Sequence, residues 1–159
     1  MITAVDTNII LDILIPDDPF AESSKRLLDG HLSEGTLILC EVVYSELAAH
    51  FPSEADLKKF LAETGMRLVC SNEKSLYIAG SRWVEYARKG NKNQFLCGTC
   101  GNVFGVTCPK CKAAAAKRLH VLADFLIGAH ALVHADCILS SDLGVYKTYF
   151  KDLKVISSI

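Results

Sequence analysis

Short, nearly unbroken apolar runs alternate with stretches of helical periodicity, and this alternation constrains the fold more than any other feature. The runs are Ile2–Val5, Thr36–Cys40, Arg67–Cys70, Cys137–Ser140 and Lys154–Ile156. A strand that is apolar at successive positions is covered on both faces, and strands separated by helices pair in parallel. Helical patterns fill the intervals. They are Thr7–Leu14, a helix opened by Asp18-Pro19 that stops at Gly30, Val42–His50, and a helix introduced by Ser53 and Asp56 that ends at Gly65. A longer helix capped by Ser71 reaches Lys89, and Ala113–Leu119, Ala123–Val133 and Val145–Phe150 follow. The expectation is an α/β/α sandwich around a central parallel sheet. At 159 residues the chain suits one domain, 1–159, large enough to bury a core without disulfides. Residues 90–112 break all periodicity, and residues 91–114 read as an excursion from the domain.

No apolar stretch approaches the ~20 residues that a membrane span needs. No basic segment precedes an apolar run at the N-terminus, so neither a signal peptide nor membrane association is expected. The seven cysteines are an odd number, which disfavours a fully paired disulfide framework and points to a reducing, cytoplasmic setting. Cys40, Cys70 and Cys137 lie singly in or beside apolar runs and are expected to be buried thiols. The net charge of −1 hides an asymmetry. Residues 82–118 hold eight cations (Arg82, Arg88, Lys89, Lys92, Lys110, Lys112, Lys117 and Arg118) against Glu85 alone, a net +7, and the remainder carries −8. A basic arm on an acidic body suits contact with nucleic acid; a solvated lysine-rich loop is the plainer alternative.

In an open parallel sheet, sites form at the carboxyl ends of the strands. Asp6 ends the first strand, Asp142 follows the run Cys137–Ser140, Glu46 lies in the helix after Thr36–Cys40, and Asp124 begins a helix. Taken singly, Asp142 and Asp124 could be helix caps and Glu46 a solvated helix residue. Asp6, between an apolar strand and an apolar helix, should be partly buried. Four acids brought to one mouth repel each other unless a cation neutralises them. Hard oxygen ligands with open water positions suit Mg²⁺ or Mn²⁺. The expectation is a set of carboxylates converging closely enough to share such an ion.

The stretch Ala4-Val5-Asp6-Thr7-Asn8-Ile9-Ile10-Leu11-Asp12 resembles the opening motif of PIN-domain nucleases. Ser45-Glu46-Leu47 is similar to their second motif, residues 123–131 (ADFLIGAHA) to their third, and Ser140-Ser141-Asp142 to their fourth, where the family usually has Thr-x-Asp. The four occur in family order, and the resemblance covers residues 1–89 and 118–159. VapC-type toxins of toxin–antitoxin pairs are the nearest in style. The resemblance implies that Asp6, Glu46, Asp124 and Asp142 hold the catalytic Mg²⁺ or Mn²⁺. It implies that Ser140 helps place a ligand or water and that Asn8 orients Asp6. Asp12 would have a lesser role. The implied activity is metal-assisted hydrolysis of RNA phosphodiester bonds. The implied partners are RNA and a cognate antitoxin protein, and the implied assembly is a homodimer.

Cys97-Gly98-Thr99-Cys100 and Cys108-Pro109-Lys110-Cys111 are two CxxC units, seven residues apart. Four thiolates suit a closed, tetrahedral, structural Zn²⁺ site. About twenty residues cannot build a core, so metal binding would supply the folding energy. Residues 91–114 are therefore expected to form a small zinc ribbon inserted into the domain, with Val103, Phe104 and Val106 in a hairpin between the two knuckles. Simple PIN domains lack such an insert. Arg88, Lys89, Lys92, Lys110, Lys112 and Arg118 are candidate RNA contacts, with Phe95 or Phe104 available to stack on a base. A surface for a partner protein or second subunit is the competing use.

Three other functional classes share part of this pattern. A phosphatase or phospho-receiver would need a second acid near Asp6 and a lysine after a late strand. Position 8 is Asn, and Ser140-Ser141-Asp142 carries no lysine. A maturation endonuclease for ribosomal RNA also combines this domain type with a zinc ribbon, but there the ribbon follows the domain. A non-catalytic adaptor would use the ribbon alone. His130 and His134 have metal-ligand spacing but lack the intervening Glu of a zinc-protease helix, so packing is expected of them. Trp83 is expected to anchor the core.

Overall fold

A computed structural model describes residues 1–89, 95–96, 103–107, 109–112 and 122–157. In chain order the elements are β1 (Ile2–Val5), α1 (Thr7–Leu14), α2 (Ala21–Glu34), β2 (Thr36–Leu39), α3 (Glu41–Ala48), α4 (Glu54–Glu63), β3 (Met66–Leu68) and α5 (Glu73–Lys89). Then come β4 (Phe95–Leu96), β5 (Val103–Phe104), α6 (Leu122–His134), β6 (Cys137–Leu139), α7 (Leu143–Tyr149) and β7 (Val155–Ile156). Five strands form one all-parallel sheet in the order β3-β2-β1-β6-β7. With helices packed against it, this is the expected α/β arrangement around a central parallel sheet.

The apolar runs explain the layering. Ala4, Val5, Leu37, Ile38, Leu39, Ile138 and Leu139 are all buried, although they alternate in direction along their strands, so both faces of the sheet are covered. Burying one such Leu or Ile side chain stabilises by about 1.5–3 kcal/mol. Ala4 sits between Ile38 on β2 and Ile138 on β6. On α5, α6 and α7 an aromatic cluster ties the helices together. Phe125 packs 5.6 Å from Tyr86, 5.4 Å from Tyr149 and 5.8 Å from Phe150, between ring centroids. The Arg82 guanidinium lies 4.6 Å above the Phe150 ring and pairs with Asp152.

Several boundaries differ from the sequence expectation. The second helix passes through Gly30 and ends at Glu34, because Gly35 supplies the stop. A Cβ at Gly35 would lie 1.9 Å from the Met1 carbonyl oxygen, and that oxygen accepts the Thr36 amide at 2.9 Å. Asp18 does not cap α2; it holds the preceding turn by accepting the Phe20 amide. Ser71 is not the cap of α5 either. Its amide and hydroxyl both donate to Glu41, and Asn72 accepts the Ser75 amide instead. Ser53 does cap α4, accepting the Asp56 amide. Cys40 and Cys137 are buried as expected, whereas Cys70 is exposed, because β3 stops at Leu68 before reaching it.

In the excursion, β4 and β5 pair antiparallel, Phe95 opposite Phe104 and Leu96 opposite Val103. The hairpin is therefore not built between the two knuckles. Val103–Phe104 pairs backwards with residues that precede the first CxxC, and Val106 is exposed and outside that pairing. Cys111, Lys110 and Lys112 are described and exposed. Cys97, Cys100, Cys108, Lys92, Arg118 and the expected helix Ala113–Leu119 lie outside the described residues. Among the described residues no helix is long and apolar enough to cross a membrane.

Candidate active site

The strand order places the site. From β1 the chain moves outward through β2 and β3, then returns to β6 on the other side of β1. A crevice opens at the carboxyl ends where the order reverses. Val5 lies opposite Leu139, so the next residues, Asp6 and Ser140, emerge side by side. The Asp6 amide donates to the Leu139 carbonyl at 3.0 Å, extending the pairing to the rim.

Asp6 is 6% exposed, and a buried carboxylate needs donors. Its Oδ1 accepts the Thr7 amide at 2.7 Å, which caps α1. Its Oδ2 accepts the Ser140 hydroxyl at 2.6 Å, the Asn8 side-chain amide at 3.0 Å and the Tyr146 hydroxyl at 3.1 Å. Asn8 also reaches the β6 side: its Oδ1 accepts the Ser141 amide and its Nδ2 donates to the Ser140 hydroxyl. The Asp142 amide donates to the Ser140 hydroxyl, and Asp142 Oδ1 accepts the Gly144 amide, capping α7. Capping is thus a real role of Asp142, and it still lines the cleft. On α3, Glu46 accepts the Thr7 hydroxyl. Asp124 lies in the first turn of α6 rather than at its cap.

Asp6, Glu46, Asp124 and Asp142 all line one open cleft of about 490 Å³, with Thr7, Asn8, Leu11, Ala49, His50 and Ile127. No lysine or arginine lines it among the described residues. The like charges act on each other. The Asp124 carboxyl is pushed up to about 6 by burial, and then by the charges of Asp6, Asp142 and Glu46. Burial also raises Asp6 above its ordinary value, opposed by the hydrogen bonds from Ser140, Thr7 and Tyr146, with Glu46 adding to the rise. The Tyr146 hydroxyl is held far above its usual range by burial and then by Asp6 and Asp124, so it is a neutral donor.

The acids share a cleft without forming a cage. Among the described residues, no three His, Cys, Asp or Glu side chains gather closely enough to hold a metal ion by themselves.

The sequence did not single out Thr7, His50 or Tyr146 for this place. Thr7 lies inside the first motif, where flanking acids drew the attention. Tyr146 stands one helical turn beyond Asp142, a spacing that puts both on one face of α7. Nothing in the local pattern marks His50 as cleft-lining. Asp12 takes no part: it accepts the Ser24 hydroxyl at 2.6 Å and ties α1 to α2. His130 is buried and stacks on His134, with centroids 4.7 Å apart. Trp83 is partly buried against the core.

A family model described as the PIN domain matches residues 3–94, more than half of the chain. The chain belongs to the PIN-domain family, a family of nucleases. The match ends inside the excursion, so Asp124 and Asp142 lie beyond it. No curated protein matches the chain by sequence. Solved structures match along nearly its full length. VapBC2 from Rickettsia felis, bound to a DNA fragment from its promoter, is 17% identical with a TM-score of 0.61, covering 99% of this chain and 98% of that one. VapBC-1 from nontypeable Haemophilus influenzae is 17% identical with a TM-score of 0.59, over 99% and 98%. FitAB bound to an IR36 DNA fragment is 16% identical with a TM-score of 0.62, over 99% and 95%. At these identities the likeness concerns the fold.

Proposed function

We propose that this chain is a divalent-metal-dependent endoribonuclease that hydrolyses RNA phosphodiester bonds, and that it is the toxin of a toxin–antitoxin pair. The observation that carries the reading is the cleft itself. Acids from four separate segments line it, and after burial the charges of Asp6, Asp142 and Glu46 raise the proton affinity of Asp124, with no lysine or arginine among the described lining residues to offset them. The donor chemistry fits Mg²⁺ or Mn²⁺, which take carboxylate oxygens. Mg²⁺ keeps several waters and needs only one or two carboxylates beside substrate phosphates. A cation bound there would supply Lewis-acid polarisation of the phosphate and acidify the attacking water.

The chain's own residues do the rest. Asp6, Glu46, Asp124 and Asp142 would hold the cation. Ser140 and Asn8 fix the orientation of Asp6, and Thr7 fixes Glu46. The open cleft admits a strand rather than a small enclosed molecule. Incubation with labelled RNA and Mg²⁺ or Mn²⁺, beside Asp6→Asn and Asp142→Asn, tests this. Cleavage should need the metal and should fall more than about 100-fold in either variant. Cleavage that survives either substitution would place the chemistry elsewhere.

The antitoxin partner rests on likeness to VapBC and FitAB, whose solved structures are toxin–antitoxin complexes. A homodimer is supported by Leu76, Tyr77 and Val84, exposed at helical spacing on α5. Residues 91–114 are read as a structural zinc ribbon held by Cys97, Cys100, Cys108 and Cys111. The β4–β5 pairing, which brackets Cys97 and Cys100 in the sequence, supports it. Arg88, Lys89, Lys92, Lys110, Lys112 and Arg118 would then meet RNA phosphates. The double variant Cys97→Ser/Cys100→Ser should lose one zinc per chain by elemental analysis and bind RNA more weakly. Zinc loss with RNA affinity intact would remove the ribbon from the RNA site.

A further inference from the structure

Tyr146 is 1% exposed, is absent from the cleft lining, and donates a hydrogen bond from its hydroxyl to Asp6 Oδ2. Room for its ring is provided from α6. A Cβ on Gly128 would lie 3.0 Å from the Tyr146 ring and 2.9 Å from that of Phe150. The glycine in the third motif therefore lets α7 press a tyrosine against the back of the site.

The consequence shows in the two oxygens of Asp6. A carboxylate oxygen has about two lone-pair directions. Oδ2 receives three donors, from Ser140, Asn8 and Tyr146. Oδ1 receives one, the Thr7 amide. Oδ2 is saturated, and Oδ1 keeps capacity for one further partner. We propose that Tyr146 is a positioning residue that, as the third donor on Oδ2 of Asp6, fixes the orientation of this carboxylate and leaves Oδ1 as the oxygen with room for a divalent cation. This rests on the metal-dependent reading above. It goes further by giving the tyrosine hydroxyl a share in cation affinity, although it touches neither cation nor substrate.

Direct Mn²⁺ titration of the full chain, followed by the electron paramagnetic resonance of free Mn²⁺, separates this from a packing role. Tyr146→Phe keeps the ring and removes one donor. Its thermal unfolding without metal should stay close to that of the unsubstituted chain, while its Mn²⁺ dissociation constant rises about 10-fold or more, the scale of lost outer partners of metal ligands. Unchanged Mn²⁺ affinity in folded Tyr146→Phe overturns the proposal. If instead the unsubstituted chain and Asp6→Asn bind Mn²⁺ alike, the metal-dependent reading itself fails and takes the proposal with it. Should Tyr146→Phe not fold, 3-fluorotyrosine at position 146 keeps both ring and hydroxyl. Its fluorine resonance should shift on adding Mg²⁺, and not in the Asp6→Asn background. No shift in the otherwise unsubstituted chain overturns the proposal.

Discussion

The β1–β6 pair carries an aspartate at each end, and the two live differently. At the amino end, Asp136 accepts the Ile2 amide at 2.7 Å and returns its own amide to the Ile2 carbonyl, at an exposed position. At the carboxyl end, Asp6 also bonds across the pair, to Leu139, but it is buried, takes four donors and faces three other acids. The first arrangement is what a sheet end needs. The second exceeds any requirement of folding, because bringing further carboxylates to a buried one raises the energy of the folded state. Functional load is legible in that excess.

Three experiments test whether the two ends differ in this way. The largest effect is on catalysis. Asp136→Asn should leave metal-dependent RNA cleavage within about 2-fold, against the loss of more than about 100-fold expected for Asp6→Asn; equal losses at both ends, read as initial rates, would erase the distinction. Next is Thr7→Val, which removes the hydroxyl donated to Glu46. It should lower cleavage about 10-fold at limiting metal and recover at saturating metal; a loss independent of metal concentration would detach Glu46 from cation binding.

The smallest effect concerns pH. The folded protein holds a proton on Asp124 more tightly than the unfolded chain does, since its carboxyl is raised from 3.8 to about 6. The stability this gives is complete below about pH 3.8 and is lost as the pH rises through about 6. Discounted for its partial exposure, the loss is about 1 kcal/mol. For a chain of this size that is about 2–4 °C in melting temperature. Asp124→Asn should flatten the change between pH 4.5 and 7 in metal-free protein, and added Mg²⁺ should offset it in the unsubstituted chain. A pH dependence identical in Asp124→Asn would show that the coupling lies elsewhere.

Much of the architecture was legible in the residues. Unbroken apolar runs between helical patterns fixed a parallel sheet, because such strands have no face left for water. The end of α2 was misread at Gly30, since a glycine inside a helix and one beyond its end look alike until the Met1 backbone is found against Gly35. Within the site, the acids were legible by type and by strand end. The rest of the cleft lining, Thr7 and His50 among it, was not, because side-chain direction depends on packing across β1, β6, α3 and α6. Tyr146 was hidden for a similar reason. Its apolar spacing with Phe150 describes a core residue, and only the contact with Asp6 gives its hydroxyl a purpose. In residues 91–114 the cysteine spacing gave no sign of which strand pairs with which, because the partner of β5 is β4, upstream of the first CxxC.

The strand order has a consequence for how the molecule comes into being. Asp6 precedes β6, with Ser140 and Asp142 just beyond it, by more than 130 positions. Domains form as units and distant pairings close late. A translation product halted ahead of residue 137 has an open flank on β1 and lacks Ser140 and Asp142. The rim of the cleft closes only when residues 137–142 return against the first strand.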